Sequence, residues 1–173
     1  GVTGVQTCAL PISPRESAPP PLRVDLVDDA LTAVEKTGRD TFGYFEVNAT
    51  ADAVNLFVAA DLDGTPNQDG RPDAVVHYVY LAEGGLQDPA PPVGATGPVF
   101  LVSEVDFDPG KILGKVLEEL PDSNPTMFVL TSAGTVDVES DRVEYRVQMT
   151  SDLGGQLSVV VTGDGQIVGT DAT

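Results

Sequence analysis

The stretch Arg142-Val143-Glu144-Tyr145-Arg146-Val147-Gln148-Met149-Thr150 decides the fold class. Val143, Tyr145, Val147 and Met149 alternate strictly with Arg142, Glu144, Arg146 and Gln148. Successive side chains of a strand point to opposite faces, so a period of two predicts an antiparallel strand with one dry and one wet face. Downstream, Leu157–Thr162 reads as a further strand, Gly163-Asp164-Gly165 as a turn, and Gln166–Val168 as the strand that pairs back. Upstream, Thr126–Ser132 is rich in β-branched and aromatic residues and reads as a strand. Before it, Asp108-Pro109 has the form of a helix start, with an aspartate cap and proline at the first helical position. Ile112, Leu113, Val116, Leu117 and Leu120 follow at helical spacing until Pro121.

The same order occurs earlier in the chain. Asp25 is expected to cap a helix whose apolar positions are Val27, Ala30, Leu31 and Val34, with Gly38 as its stop. Phe42–Asn48, Val54–Ala60 and Ala74–Leu81 then read as three strands. Asp25 aligns with Asp108, Phe42 with Thr126, Val54 with Val143, and Val75 with Leu157. Two accounts fit this order: an internal duplication with hairpins of unequal length, or two α+β hairpin units without common origin. Either way the expected fold is α+β, an antiparallel sheet with two helices on one face. In Ala74–Leu81, Val75, Val79 and Leu81 occupy one face, while Val76, Tyr78 and Tyr80 make the opposite face apolar as well. A strand apolar on both sides is covered twice or lines a pocket. Val76, Tyr78 and Tyr80 are therefore the candidate ligand groove.

Composition excludes whole classes of function. The 173 residues carry 27 acidic and 9 basic side chains, a formal charge of −18. Nucleic acids and anionic lipids are held mainly by clustered Lys and Arg, so neither is an expected partner. The absence of Trp and the count of six Phe and four Tyr leave little for base-stacking platforms. No apolar run approaches the ~18 residues of a membrane-spanning helix. Only Lys36, Lys111 and Lys115 represent lysine, which fits an acidic shell kept soluble at high ionic strength, or an exported protein.

Val2-Thr3-Gly4-Val5-Gln6-Thr7-Cys8-Ala9-Leu10-Pro11-Ile12 resembles the in-frame translation of a widely used sequencing-library adapter. Residues 1–13 are accordingly expected to be foreign to the native protein, and a native N-terminal signal or anchor to be lost with them. Cys8, the only cysteine, falls in this segment, so no disulfide, thiol nucleophile or cysteine metal site is expected downstream. Residues 14–22, with Pro19, Pro20 and Pro21, read as a stiff tether of the kind that follows export signals. Residues 23–173 read as a single α+β domain. Its halves, 23–86 and 99–173, are joined by a Pro/Gly-rich linker at 87–98.

Asp61-Leu62-Asp63-Gly64-Thr65-Pro66-Asn67-Gln68-Asp69-Gly70-Arg71-Pro72-Asp73 is the most suggestive string for chemistry. Asp, Asn, Gly and Pro are the residues of turns, so its first reading is an exposed hairpin loop. Residues 61–64 and 69–76 also resemble the two parts of the calcium loop of FG-GAP-type propeller repeats, with four residues interposed and a single copy. That resemblance implies a Ca²⁺ site formed by Asp61, Asp63, Asp69 and Asp73. The spacing does not fit an EF-hand, because Pro66 and Pro72 stand where glycine and glutamate belong.

His77, the sole histidine, falls mid-strand on the face of Val75 and Val79 and reads as a half-buried structural residue. Glu118, Glu119 and Asp122, and likewise Asp137, Glu139 and Asp141, read as solvated acids rather than as a catalytic pair. Neither a Gly-x-Ser-x-Gly elbow nor a phosphate-binding glycine loop occurs. The expected function is a non-catalytic acidic binding domain, exported or tethered to a cell envelope, that binds a protein or a small apolar ligand through a helix–sheet groove. A calcium-dependent module and a small hydrolase using His77 with carboxylates are the alternatives.

Overall fold

The computed structural model describes residues 21–39, 42–62, 72–133 and 143–172. Among them, strands follow helices twice. A short 3₁₀ turn, Val24–Leu26, leads into α1 (Val27–Thr37), then β1 (Tyr44–Ala49), β2 (Ala53–Ala60) and β3 (Ala74–Leu81). Two minimal strands follow, β4 (Gly85–Leu86) and β5 (Val93–Gly94), and a second 3₁₀ turn at Val102–Glu104. The second series is α2 (Gly114–Glu119), β6 (Ser123–Ser132), β7 (Val143–Ser151), β8 (Gln156–Val161) and β9 (Ile167–Ala172). The fold is α+β, dominated by one nine-stranded antiparallel sheet in the order β4-β3-β2-β1-β6-β7-β8-β9, with β5 also on β3. At its centre β1 pairs with β6, Val47 opposite Leu130 and Ala49 opposite Phe128.

The alternation in β7 has the expected consequence. Val143, Tyr145, Val147 and Met149 are buried, and Glu144, Arg146 and Gln148 lie half-buried on the other side. The buried set joins Val47, Leu56, Tyr78, Phe128, Leu130 and Val159 in one apolar cluster that also contains Val27, Ala30, Leu31 and Val34 of α1. Ile112, Leu113 and Val116 belong to the same cluster. Burying each large aliphatic side chain is worth about 1.5–3 kcal/mol, so this cluster is the main stabilising element.

Both helix starts differ from expectation. The Asp25 carboxylate does not cap α1; it accepts two hydrogen bonds from Arg23, each 3.0 Å, and the helix is entered through the 3₁₀ turn instead. Its stop is as expected: Gly38 has φ 72 and donates its N–H to Glu35 O at 3.0 Å. Asp108 caps locally, its Oδ1 accepting the Gly110 N–H at 2.8 Å, but residues 109–113 form turns and α2 begins only at Gly114. Gly110 and Gly114 explain the delay, since each costs about 1 kcal/mol relative to alanine within a helix. Leu117 is 37% exposed and so departs from the expected buried face.

Two close approaches fix how connections cross strand ends. Tyr44 donates its N–H to Phe100 O at 2.8 Å and accepts the Phe100 N–H at 2.9 Å, just before a bulge in β1. A Cβ on Gly43 would come within 2.4 Å of Phe100 O, so only glycine admits this contact. In the second half, Asp108 donates its N–H to Gly163 O at 2.8 Å, and a Cβ on Gly163 would come within 2.3 Å of Asp106 O. The Gly163-Asp164-Gly165 turn thus has a second task besides joining β8 to β9.

The Pro/Gly-rich stretch 87–98 runs along the outer edge of β3. Between the β4 and β5 pairings, Gln87 donates to Val79 O at 2.8 Å and Ala90 to His77 O at 3.0 Å. Pro89, Pro91 and Pro92 have no N–H to offer outward, so the strap closes this edge. Among the described residues β9 has no strand on its outer side.

Candidate functional site

The register of β2 and β3 sets Leu56 opposite Tyr78 and Val58 opposite Val76. Tyr78 and Val58 are buried, whereas Val76, between Ala74 and Tyr78 on the same face, is half-buried. Gly38 ends α1 in a left-handed turn and sends the chain back over this region. Arg39 then donates from Nη1 to the Tyr78 hydroxyl at 3.4 Å. Together with Phe42, Ala59, Ala60, Asp61, Leu62 and Pro92 these residues enclose an open cavity of about 430 Å³. Its walls are mainly apolar; the polar groups are the Arg39 guanidinium, the Asp61 carboxylate and the Tyr78 hydroxyl. Few polar groups on an apolar wall is the usual build of a small-molecule site.

The structure therefore places Val76 and Tyr78 on the lining of a cavity and Tyr80 outside it. Tyr80 stands opposite Val54 on one side and Leu86 on the other, packed against the core. Sequence reasoning missed Arg39 and Phe42, which reach the cavity from the connection after α1. The helix stop at Gly38 was the available signal, since it fixes where the chain turns.

A larger concavity of about 580 Å³ lies in the second half, lined by Glu104, Asp106, Phe107, Asp108, Pro109, Tyr145, Gly163 and Asp164. Tyr145 holds its wall: its hydroxyl donates to Asp106 O at 3.1 Å and accepts the Asp106 N–H at 2.8 Å. The Thr162 hydroxyl, by donating to the Asp164 carboxylate, pulls that group below its usual pKa, with backbone N–H groups and Lys111 acting in the same direction. The charged residues of the lining are all acidic, and among the described residues no group of three or more His, Cys, Asp or Glu is arranged to hold a metal ion. Of the residues implied by the calcium-loop resemblance, Asp61 and Asp73 flank the base of the β2–β3 hairpin. Asp73 Oδ1 accepts the Leu62 N–H at 2.9 Å and so ties that base together. Asp63 and Asp69 lie outside the described residues.

His77 is half-buried on the sheet face opposite the core. Its ring stacks on Phe57 with centroids 4.6 Å apart and planes 8° from parallel. Its Nε2 is 3.0 Å from Asn55 Oδ1, Asn55 Nδ2 donates to Asn48 Oδ1 at 2.9 Å, and Asn48 Nδ2 donates to Glu46 at 2.7 Å. A carboxylate only accepts, so the donor direction runs from the imidazole to Glu46, and Nε2 carries the hydrogen. The imidazole thus meets an amide, with the nearest chained carboxylate two amides away. The alternating polar positions 46, 48 and 55 were the signal for this ladder. On the same face Arg146 joins Glu144 at 2.7 Å, Ser158 at 3.1 Å and Asp171 at 3.1 Å. The bond to Glu144, followed by that to Asp171, raises the Arg146 pKa against the opposing effect of burial. Of the remaining acids, Glu118 is 3.9 Å from Lys115 on the surface of α2, and Asp137, Glu139 and Asp141 lie outside the described residues.

No described helix is long and apolar enough to cross a membrane. No protein-family model, curated protein or solved structure matches this chain.

Proposed function

We propose that this chain is a non-catalytic acidic binding domain that takes a small apolar ligand in the cavity between the end of α1 and strands β2 and β3. The observation that carries this reading is the continuity of the wall: Val58 and Tyr78 belong to the buried core, yet with Val76 they border a space open to solvent. Apolar surface left accessible in this way gains free energy when an apolar ligand displaces water from it. Nile red, an uncharged apolar dye, tests the reading. Saturable one-to-one binding is expected, abolished in Ala60→Phe, which fills the cavity, provided the melting temperature of that variant is retained. Absence of saturable binding to the parent protein overturns it.

The architecture in this reading is a duplicated one, with α1 and α2 covering the same face of the sheet. It draws support from the shared buried cluster and from the strand order, in which β3-β2-β1 and β6-β7-β8 meet at their first strands. Placement outside the cytoplasm is part of the same proposal. It rests on the proline-rich tether at 14–22 and on the acidic, lysine-poor composition. Fractionation of cells expressing the full native gene, with its own upstream sequence, tests that placement; recovery solely from the cytoplasm overturns it.

A further inference from the structure

We infer that the occupant of the cavity is a small monocarboxylate with an apolar body, its head held by Arg39; this rests on the binding reading above and adds the head group to it. With 27 acidic against 9 basic side chains, carboxylates are in excess, and the other two described arginines each hold one. Arg23 has Asp25 at 3.0 Å, and Arg146 has Glu144 at 2.7 Å and Asp171 at 3.1 Å. Among the described arginines Arg39 is the exception: it forms no ion pair there, and its side-chain bond goes to the neutral Tyr78 hydroxyl. That bond holds one corner of the guanidinium at the cavity rim and leaves the rest of its five-donor fork for something else. A guanidinium accepts no hydrogen bond, so its partner must bring lone pairs, and the planar fork matches a carboxylate in bidentate fashion.

The charge count sets the valence of the head. One guanidinium neutralises one negative charge, and Asp61 on the same lining disfavours a second. A dianionic phosphate head is therefore a poorer match than a carboxylate. Phe42, Val58, Ala60 and Val76 receive the apolar body. A volume of about 430 Å³ is that of a small-molecule site rather than of a protein-docking surface.

Calorimetry with decanoate, decan-1-ol and decyltrimethylammonium separates the head group from the cavity. It is run at about 0.15 M salt, where the Debye length is about 8 Å and the field of the distant acids is screened. Decanoate is expected to bind about tenfold more tightly than decan-1-ol, and the exposed substitution Arg39→Gln to remove that advantage while leaving decan-1-ol within about twofold. Equal affinity for decanoate and decan-1-ol, unaffected by Arg39→Gln, overturns the carboxylate assignment and leaves the apolar cavity standing. Tighter binding of decyltrimethylammonium overturns it in favour of Asp61 as the head contact. Failure of all three to bind overturns the cavity reading as well.

Discussion

Each half of the sheet buries its strands under a different covering. In the first half α1 has eleven residues and inserts Val27, Ala30, Leu31 and Val34 into the core. In the second, α2 has six residues and buries only Val116. The deficit is made up by non-helical chain: Ile112 and Leu113 come from the turns before α2, and Phe107 packs its ring 5.3 Å from Phe128 and 5.7 Å from Tyr145. What the sheet requires is apolar area at the right height, and a connection pinned by hydrogen bonds supplies it as well as a helix does. The pinning differs accordingly. The covering of the first half is held by helix packing, that of the second by the Tyr145 hydroxyl and the approach of Asp106 to Gly163.

That contrast can be broken most forcibly at its glycines. Gly163→Ala places a Cβ against the Asp106 carbonyl and is expected to cost about 3 kcal/mol or more, seen as a large loss in the urea midpoint. Gly43→Ala adds a positive φ of 88 to a similar clash and should be at least as damaging, so both halves depend on one close approach each. Next come the helices. Leu31→Ala in α1, at 3% exposure, should cost about 2–5 kcal/mol, and Leu117→Ala in α2, at 37%, about 0.5 kcal/mol. Similar values from urea denaturation would erase the distinction between the two coverings. Tyr145→Phe removes both hydrogen bonds to Asp106 and should cost about 1–2 kcal/mol, with faster hydrogen exchange at the Asp106 and Asp108 amides but not at the Arg39 amide.

The smallest effect is electrostatic. Asp164 in the second half has its carboxylate pKa lowered in the folded state by the Thr162 hydroxyl. A depressed carboxylate stabilises above its unfolded pKa of about 3.9 and loses that contribution as pH falls through the lower folded value. Asp164→Asn should therefore flatten the acid limb of the melting-temperature profile below about pH 4, while changing little at neutral pH. A profile as steep as that of the parent protein would show that the turn carries no such linkage.

Much of this fold is legible in the residues because strand periodicity is local. Ala74–Leu81 begins and ends where its run of β-branched and aromatic residues does, and the other strands shift by a few residues at their ends. What was illegible depends on neighbours distant in sequence. Nothing near 87–98 says that a proline-rich stretch lies along β3, since its partners are carbonyls of Val79 and His77 that only the folded hairpin presents. The late start of α2 was readable from Gly110 and Gly114, and the strength of the Asp108-Pro109 signal hid it. The cavity was half legible. The doubly apolar strand pointed to Val76 and Tyr78, but the separation of Tyr80 from them follows from where β4 and the strap fall. Arg39 reaches the site only through a turn whose direction the sequence does not encode by itself.

The closed edge at β3 has a bearing on assembly. A sheet with two bare edges can add copies at both and grow without limit. This one, if it joins another copy through β9, presents only strapped edges outward, and growth ends at two. In such a pair Pro89, Pro91 and Pro92 would act as a chain terminator, at a distance of the whole sheet from the strand whose pairing they limit.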